Sequence, residues 1–246
     1  MDIDRRTLIM GLIAGAGALS AGETSFGQQP PATDPSLYIP KAHLVEDRKF
    51  LHDFMDEFAF VDLVTPTPTL RITHIPTVLD RSVGRYGTIF AHISAQNPQR
   101  VTFDGGHTAV MVFRGPHSYI SPSWYAKQDV VPTWNFSVVH VTGRPKAITG
   151  DEATHALLAR LIKKFDGRVR GSRYDFEKLP ADYVTNLAKG IAPFQMEIEA
   201  IEGKFKLGQE RSEGDRQGVL AHLKAAEYAE RSLYDVTDAF YRSGPT

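Results

Sequence analysis

Strand-type runs follow one another at 60–65, 69–79, 86–94, 108–115 and 135–148, rich in β-branched and aromatic residues and separated by breaks containing Pro and Gly. The first two breaks are too short to carry the helical crossover that parallel pairing needs, and such short connections favour antiparallel pairing. A later stretch alternates strictly. Phe194, Met196 and Ile198 fall on one face, with Gln195 and Glu197 on the other, as in a strand with one wet side. Helical periodicity is confined to the flanks of this pattern. Phe50, Leu51, Phe54, Met55 and Phe58 recur at spacings of three and four, 151–165 and 181–189 have helical composition, and 213–229 predicts a terminal helix. The fold class implied is mainly β, a barrel with peripheral helices.

The 246 residues, 42% of them hydrophobic, suffice for one good-sized core or two small ones. With 28 basic and 29 acidic side chains the chain has no global attraction for nucleic acid or anionic lipid. It contains no cysteine, which removes disulfides, thiolate nucleophiles, iron–sulfur clusters and cysteine zinc sites together. Asp4-Arg5-Arg6-Thr7 precedes a weakly apolar, Gly- and Ala-rich run ending near Ala21. That run is shorter than the roughly 20 residues a membrane-crossing helix needs, and the arrangement reads as a twin-arginine export leader over 1–27. The expected location is therefore periplasmic, with no stable membrane anchor once the leader is cleaved. Pro30, Pro31 and Pro35 mark 28–36 as a flexible spacer. The body is expected over 37–223, with a helical tail over 224–246 whose Leu233, Val236, Phe240 and Tyr241 suit core cover.

Several short motifs occur in order along this body: Tyr38-Ile39-Pro40, His92 with Asn97-Pro98, Gly115-Pro116-His117-Ser118-Tyr119, Val131-Pro132-Thr133-Trp134-Asn135, Val139-His140-Val141-Thr142-Gly143, and Glu202-Gly203-Lys204-Phe205-Lys206-Leu207 with Gln209. Together they resemble the PaiB-type family of FMN-binding proteins over essentially the whole body. The resemblance implies a split β-barrel related to the pyridoxamine-phosphate-oxidase-like flavoproteins, a homodimer, and FMN sites lined by both chains. This chain carries Phe205 where the family usually shows Trp, and Gly208 and Glu210 where Ser and Asn are common.

A flavin phosphate wants hydrogen-bond donors and positive charge, and the ring wants an apolar slot with an aromatic wall. In the run 86–94, Phe90, His92 and Ser94 alternate onto one face, and the turn to Asn97 aims donors at a phosphate where the strand ends. Arg71, Thr73 and His74 on the preceding run are expected to complete that grip. Trp134 and Asn135, after Pro132, offer a fixed aromatic and an amide to the ring, and Lys206 and Gln209 after the last strand offer donors to phosphate or ribityl oxygens. Trp124 and Tyr125 sit in a Ser-Pro-Ser turn and read as structural.

Nine histidines lack the His-x-His and His-x-x-x-His spacings of a preformed metal site, and neither a Gly-x-Ser-x-Gly elbow nor a P-loop is present. The basic cluster Lys163, Lys164, Arg168, Arg170 and Arg173 reads as a solvated segment that could also reach an anionic ligand, and no nucleic-acid partner is expected. The expected function is an FMN-dependent oxidoreductase acting on a small molecule, since a flavin carries its own hydride chemistry and demands no particular catalytic side chain. Two alternatives stay open. One is a cytoplasmic PaiB-like transcriptional regulator; the other is a flavin- or haem-binding protein without turnover, with His107, His117 or His140 as an axial ligand.

Overall fold

The computed structural model describes residues 35–127, 129–225 and 229–243. The leader expected over 1–27 and most of the spacer lie outside the described residues. The elements run in the order β1 (Leu44–Val45), α1 (Arg48–Glu57), β2 (Phe60–Thr65), β3 (Arg71–Pro76), β4 (Val78–Asp80), β5 (Thr88–Ser94), β6 (Ala109–Ile120), β7 (Thr133–Ala147), α2 (Asp151–Asp166), α3 (Ala181–Ala188), β8 (Ile191–Lys206), α4 (Glu213–Ala225) and α5 (Ala229–Ser243). No helix among the described residues is long and apolar enough to cross a membrane.

The strands form one eight-stranded sheet in the order β3-β2-β6-β7-β8-β5-β4, with β1 pairing β8 off this path. The pairings of β2 with β3 and β6, of β5 with β4 and β8, and of β1 with β8 are all antiparallel. The chain is organised as two compact units, one of Phe58–Phe113 and His140–Ile201, the other of the residues up to Glu57, Arg114–Val139 and those from Glu202 onward.

The first unit holds β2 to β5 with the segments 109–113 of β6, 140–147 of β7 and 191–201 of β8. Its two outermost strands in the sheet order, β3 and β4, are consecutive in the chain and separated by Thr77 alone. A sheet whose opposite edges are one residue apart must curl until they meet. With no ladder joining β3 to β4, the result is a barrel open along one seam. The run expected as a single strand over 69–79 is thus broken at a corner. Thr77, only 2% exposed, fixes it by donating its N–H and Oγ1 to the Ala59 carbonyl at 2.9 and 3.0 Å. Leu63, Ile89, Ala91, Met111, Val141, Phe194 and Met196 fill the barrel, and the even-numbered residues of β8 point inward as the alternation predicts. Helix α2 is fastened to the β4 edge, where Arg160 Nη1 meets Asp80 Oδ2 at 3.3 Å and Lys164 Nζ donates to the Thr77 carbonyl at 3.2 Å.

Gly143 lies where β7 and β8 approach closely, since a Cβ there would stand 2.3 Å from the Glu197 carbonyl oxygen. Because that obstacle is backbone, Gly143→Ala should cost about 1–3 kcal/mol through overpacking. Thermal unfolding is the check, and an unchanged Tm would show that β7 and β8 can separate freely.

The second unit is built on Phe205, fully buried among Phe50 and Phe54 of α1 and Phe240 of α5. Strand β6 does not end at Gly115 as expected. It runs on to Ile120, and its buried positions change from Ala109, Met111 and Phe113 to Ser118 and Ile120. Strand β8 makes the same exchange, from Phe194, Met196 and Ile198 to Gly203 and Phe205. One parity serves one core and the other parity the other. The tail expected to cover core does so as α5, whose Tyr241 hydroxyl donates to the Leu207 carbonyl at 2.5 Å.

Candidate functional site

The end of the barrel where β3 begins and β5 finishes is built around Gln99, a polar side chain with no solvent exposure. Its Nε2 donates to the Leu63 carbonyl and Thr65 Oγ1, each at 3.1 Å, and its Oε1 accepts from Thr73 Oγ1 at 2.5 Å. Asn97 caps the short turn that carries it, taking the Gln99 N–H on Oδ1 at 2.9 Å while its Nδ2 donates to Thr73 Oγ1 at 2.9 Å. Thr73 and Asn97 are therefore brought together as expected from the sequence, with their polar atoms engaged in holding the turn against β3.

Two buried nitrogens remain on β3 and β5, the strands that meet this turn. Arg71 Nη1 and His92 Nδ1 are buried with no hydrogen-bond partner of normal geometry among the described residues. Burial pushes the His92 imidazole below its ordinary pKa, opposed in part by the backbone of Ile93, so it stands neutral at neutral pH. A buried guanidinium nitrogen without an acceptor costs free energy, and an anionic oxygen is the partner that best removes that cost. The Arg71 guanidinium, with His92 in the tautomer that carries its proton on Nδ1, fits a phosphate. Ser94, exposed at the end of β5, shares its face with His92.

His74 does not join Arg71 and Thr73. Side chains alternate along a strand, so His74 points to the opposite face of β3, where Nδ1 meets Asp62 Oδ1 at 2.5 Å across the β2–β3 ladder. The same alternation divides Trp134 from Asn135. Trp134 is 52% exposed beside His117 and Tyr119, with ring centroids 5.6 and 6.3 Å away. Asn135 is buried and lines a small cavity with Tyr125, Gly208, Arg211 and Tyr241. Burial lifts the Tyr241 hydroxyl to about 12 despite the opposing charge of Arg216, so it remains a donor throughout the physiological range.

Lys206 Nζ is bonded to Thr133 Oγ1. Gln209 accepts the Leu207 N–H on Oε1 at 2.8 Å and donates from Nε2 to the Phe205 carbonyl, so its amide is spent on closing the turn. Gly208 in that turn has φ +83°, a left-handed conformation costly for the Ser usual in the resembled family. Trp124 stacks on His222 at 5.2 Å, a structural contact. Of the histidines considered for haem, His107 is held by Asp104 at 3.0 Å and His117 lies against Trp134. Among the described residues no group of three or more His, Cys, Asp or Glu could hold a metal ion.

An antiparallel barrel open along one seam is the architecture of the split-barrel flavin-binding proteins. The chain belongs to the family described as "Putative FMN-binding domain", whose model matches residues 37–200. FMN is accordingly its cofactor. The chain is 32% identical over 192 residues to the Bacillus subtilis protease synthase and sporulation protein PAI 2, covering 78% of this chain and 91% of the relative. It is 30% identical to an uncharacterised Aspergillus fumigatus protein, covering 75% and 89% respectively. Among solved structures, a conserved hypothetical protein of Mycobacterium tuberculosis shares the fold with a TM-score of 0.50 at 11% identity, covering 72% of this chain and 94% of that one.

Proposed function

We propose that this chain is an exported FMN-dependent oxidoreductase acting as a homodimer on a small molecule. The observation that carries the flavin site is the pair of buried, unpartnered nitrogens, Arg71 Nη1 and His92 Nδ1. Arg71 and His92 hold the phosphate, Ser94 contributes a hydroxyl at the rim, and Thr73, Asn97 and Gln99 keep the β5 turn in place for them. When bound, FMN supplies hydride and electron transfer. Trp134, with His117 and Tyr119, presents an exposed aromatic surface to a flavin ring held by the neighbouring copy of the chain. His74, Lys206 and Gln209 are engaged within the chain and, with the buried Asn135, serve as supports. Support for the dimer comes from the outer face of β2 and β3, where Phe60 and Ile72 are 68% and 55% exposed, a surface suited to a second copy.

Export rests on Arg5-Arg6 and the short apolar run behind them. A barrel that closes around FMN before leaving the cytoplasm suits a route that carries folded proteins. Replacing Arg5 and Arg6 together by Lys should retain a folded, flavin-loaded precursor inside the cell, whereas the wild-type chain is processed and recovered from the periplasm. The mature protein should lose its flavin absorbance under an anaerobic reductant and regain it with an added electron acceptor. A wild-type chain that stays unprocessed in the cytoplasm would favour the regulator reading, and a flavin that cannot be reduced would end the oxidoreductase one.

A further inference from the structure

A cavity of about 410 Å³ opens between α2, α3 and the start of β8; no residue assigned to the flavin phosphate lines it, although Ile191 in its wall pairs with Ser94 across the β5–β8 ladder. Its lining is apolar throughout, from Leu158 and Ile162 on α2 through Phe176 and Leu179 to Val184 and Leu187 on α3, with Tyr174 and Tyr183 at its sides. Both tyrosines and Leu187 are more than half exposed, at 53%, 52% and 57%. Water-exposed apolar surface gathered into a concavity of this size costs free energy unless something fills it, and the volume falls in the range of about 300–1,000 Å³ typical of small-molecule sites.

Charge selects the filler. The segment leading from α2 into the cavity wall carries Lys163, Lys164, Arg168, Arg170 and Arg173 against a single acid, Asp166, in a chain whose net charge is -1. Asp166 Oδ2 already accepts from Ser172 Oγ at 2.7 Å, and Lys163, Arg170 and Arg173 form no ion pair among the described residues. Arg173 directly precedes the lining residue Tyr174. An apolar pocket approached through unpaired guanidinium groups is complementary to a molecule with an apolar body and an anionic head.

We propose that this cavity binds a small amphipathic carboxylate, its hydrocarbon or aryl body between α2 and α3 and its head group at Arg170 and Arg173. The site is separate from the flavin reading and stands without it. The test uses the FMN-loaded mature protein and anilinonaphthalene sulfonate, an apolar anionic probe that brightens on leaving water. One probe per chain should bind, decanoate should displace it, and decanol, with the same chain but no charge, should do so at least tenfold more weakly.

Ala188→Trp fills the cavity and should abolish probe binding with FMN content unchanged. Leu187→Glu, at a position exposed enough to tolerate charge, should weaken decanoate at least tenfold should the tryptophan variant fail to fold. Arg170→Ala with Arg173→Ala should remove the preference for decanoate over decanol. The proposal is overturned by equal displacement by the two ligands, by wild-type binding in Leu187→Glu, or by displacement of the probe by added FMN, which would make the cavity part of the flavin site. It is equally overturned by binding that grows as the protein is diluted, which would mean that a second copy covers this face.

Discussion

Arg71→Ala should weaken FMN binding by about ten- to a hundredfold while leaving riboflavin binding unchanged. A hydrogen bond from a charged donor contributes about 1.5–3 kcal/mol, and each 1.4 kcal/mol or so is tenfold in Kd. Riboflavin has the same ring and ribityl chain without the phosphate, so it separates loss of a phosphate contact from collapse of the pocket. Stability supplies a second discriminator. In the flavin-free chain Arg71 Nη1 is buried with nothing to satisfy it, so removing the guanidinium relieves a desolvation cost and should not lower the Tm. What falls is the increment in Tm that saturating FMN adds, because ligand stabilisation scales with the logarithm of concentration over Kd. Gln99→Ala should behave in the opposite way, destabilising the free chain by taking a buried partner from the Leu63 carbonyl and from the Thr65 and Thr73 hydroxyls. Equal losses of FMN and riboflavin in Arg71→Ala would remove the phosphate role from that residue.

The strands were legible from the sequence wherever one face of the sheet is buried and the other wet, as in β2, β5 and the alternating part of β8. The failures share a cause. At Thr77 and at Gly115-Pro116 the chain keeps its extended conformation while changing what it packs against, and local composition does not register a change of partner. The corner in 69–79 follows from tertiary closure of the barrel. The extension of β6 past Gly115 follows from a second core that takes over its inward face.

Site residues divide the same way. Thr73 and Asn97 do come together, but grouping His74 with Arg71, or Trp134 with Asn135, sets aside the two-residue period that sends neighbours to opposite faces. Gln99, a fully buried polar side chain at the β5 turn, carries no signal of its role in the sequence although it follows Asn97-Pro98 directly. A glutamine with no exposure is visible only once its partners on β2 and β3 are in place. The apolar cavity was equally hidden, because its lining comes from four separate stretches of chain.

Phe205→Ala should be among the most destabilising single changes in the chain, at about 3–5 kcal/mol. Its ring has no solvent exposure, and its centroid lies 5.1 Å from Phe50, 5.1 Å from Phe54 and 6.0 Å from Phe240, two edge-on contacts and one stacked. Each such pair adds about 0.5–1.5 kcal/mol beyond the area it buries, and here one residue joins α1, β8 and α5. Truncation therefore leaves a cavity and also unfastens the C-terminal helix, whose other anchor to β8's end is the Tyr241–Leu207 bond. At about 2–4 °C per kcal/mol for a chain of this size, the Tm should drop by roughly 6–20 °C. A cycle with Phe240→Ala should show strong coupling, the double variant losing less than the sum of the two single changes, because the second truncation removes contacts already lost. This placement also gives a physical role to the residue that stands where the resembled family usually carries Trp. If Phe205 instead touched the flavin, its loss would appear first as released FMN at unchanged Tm in the flavin-free chain. Full stability of the flavin-free variant would therefore refute the core assignment.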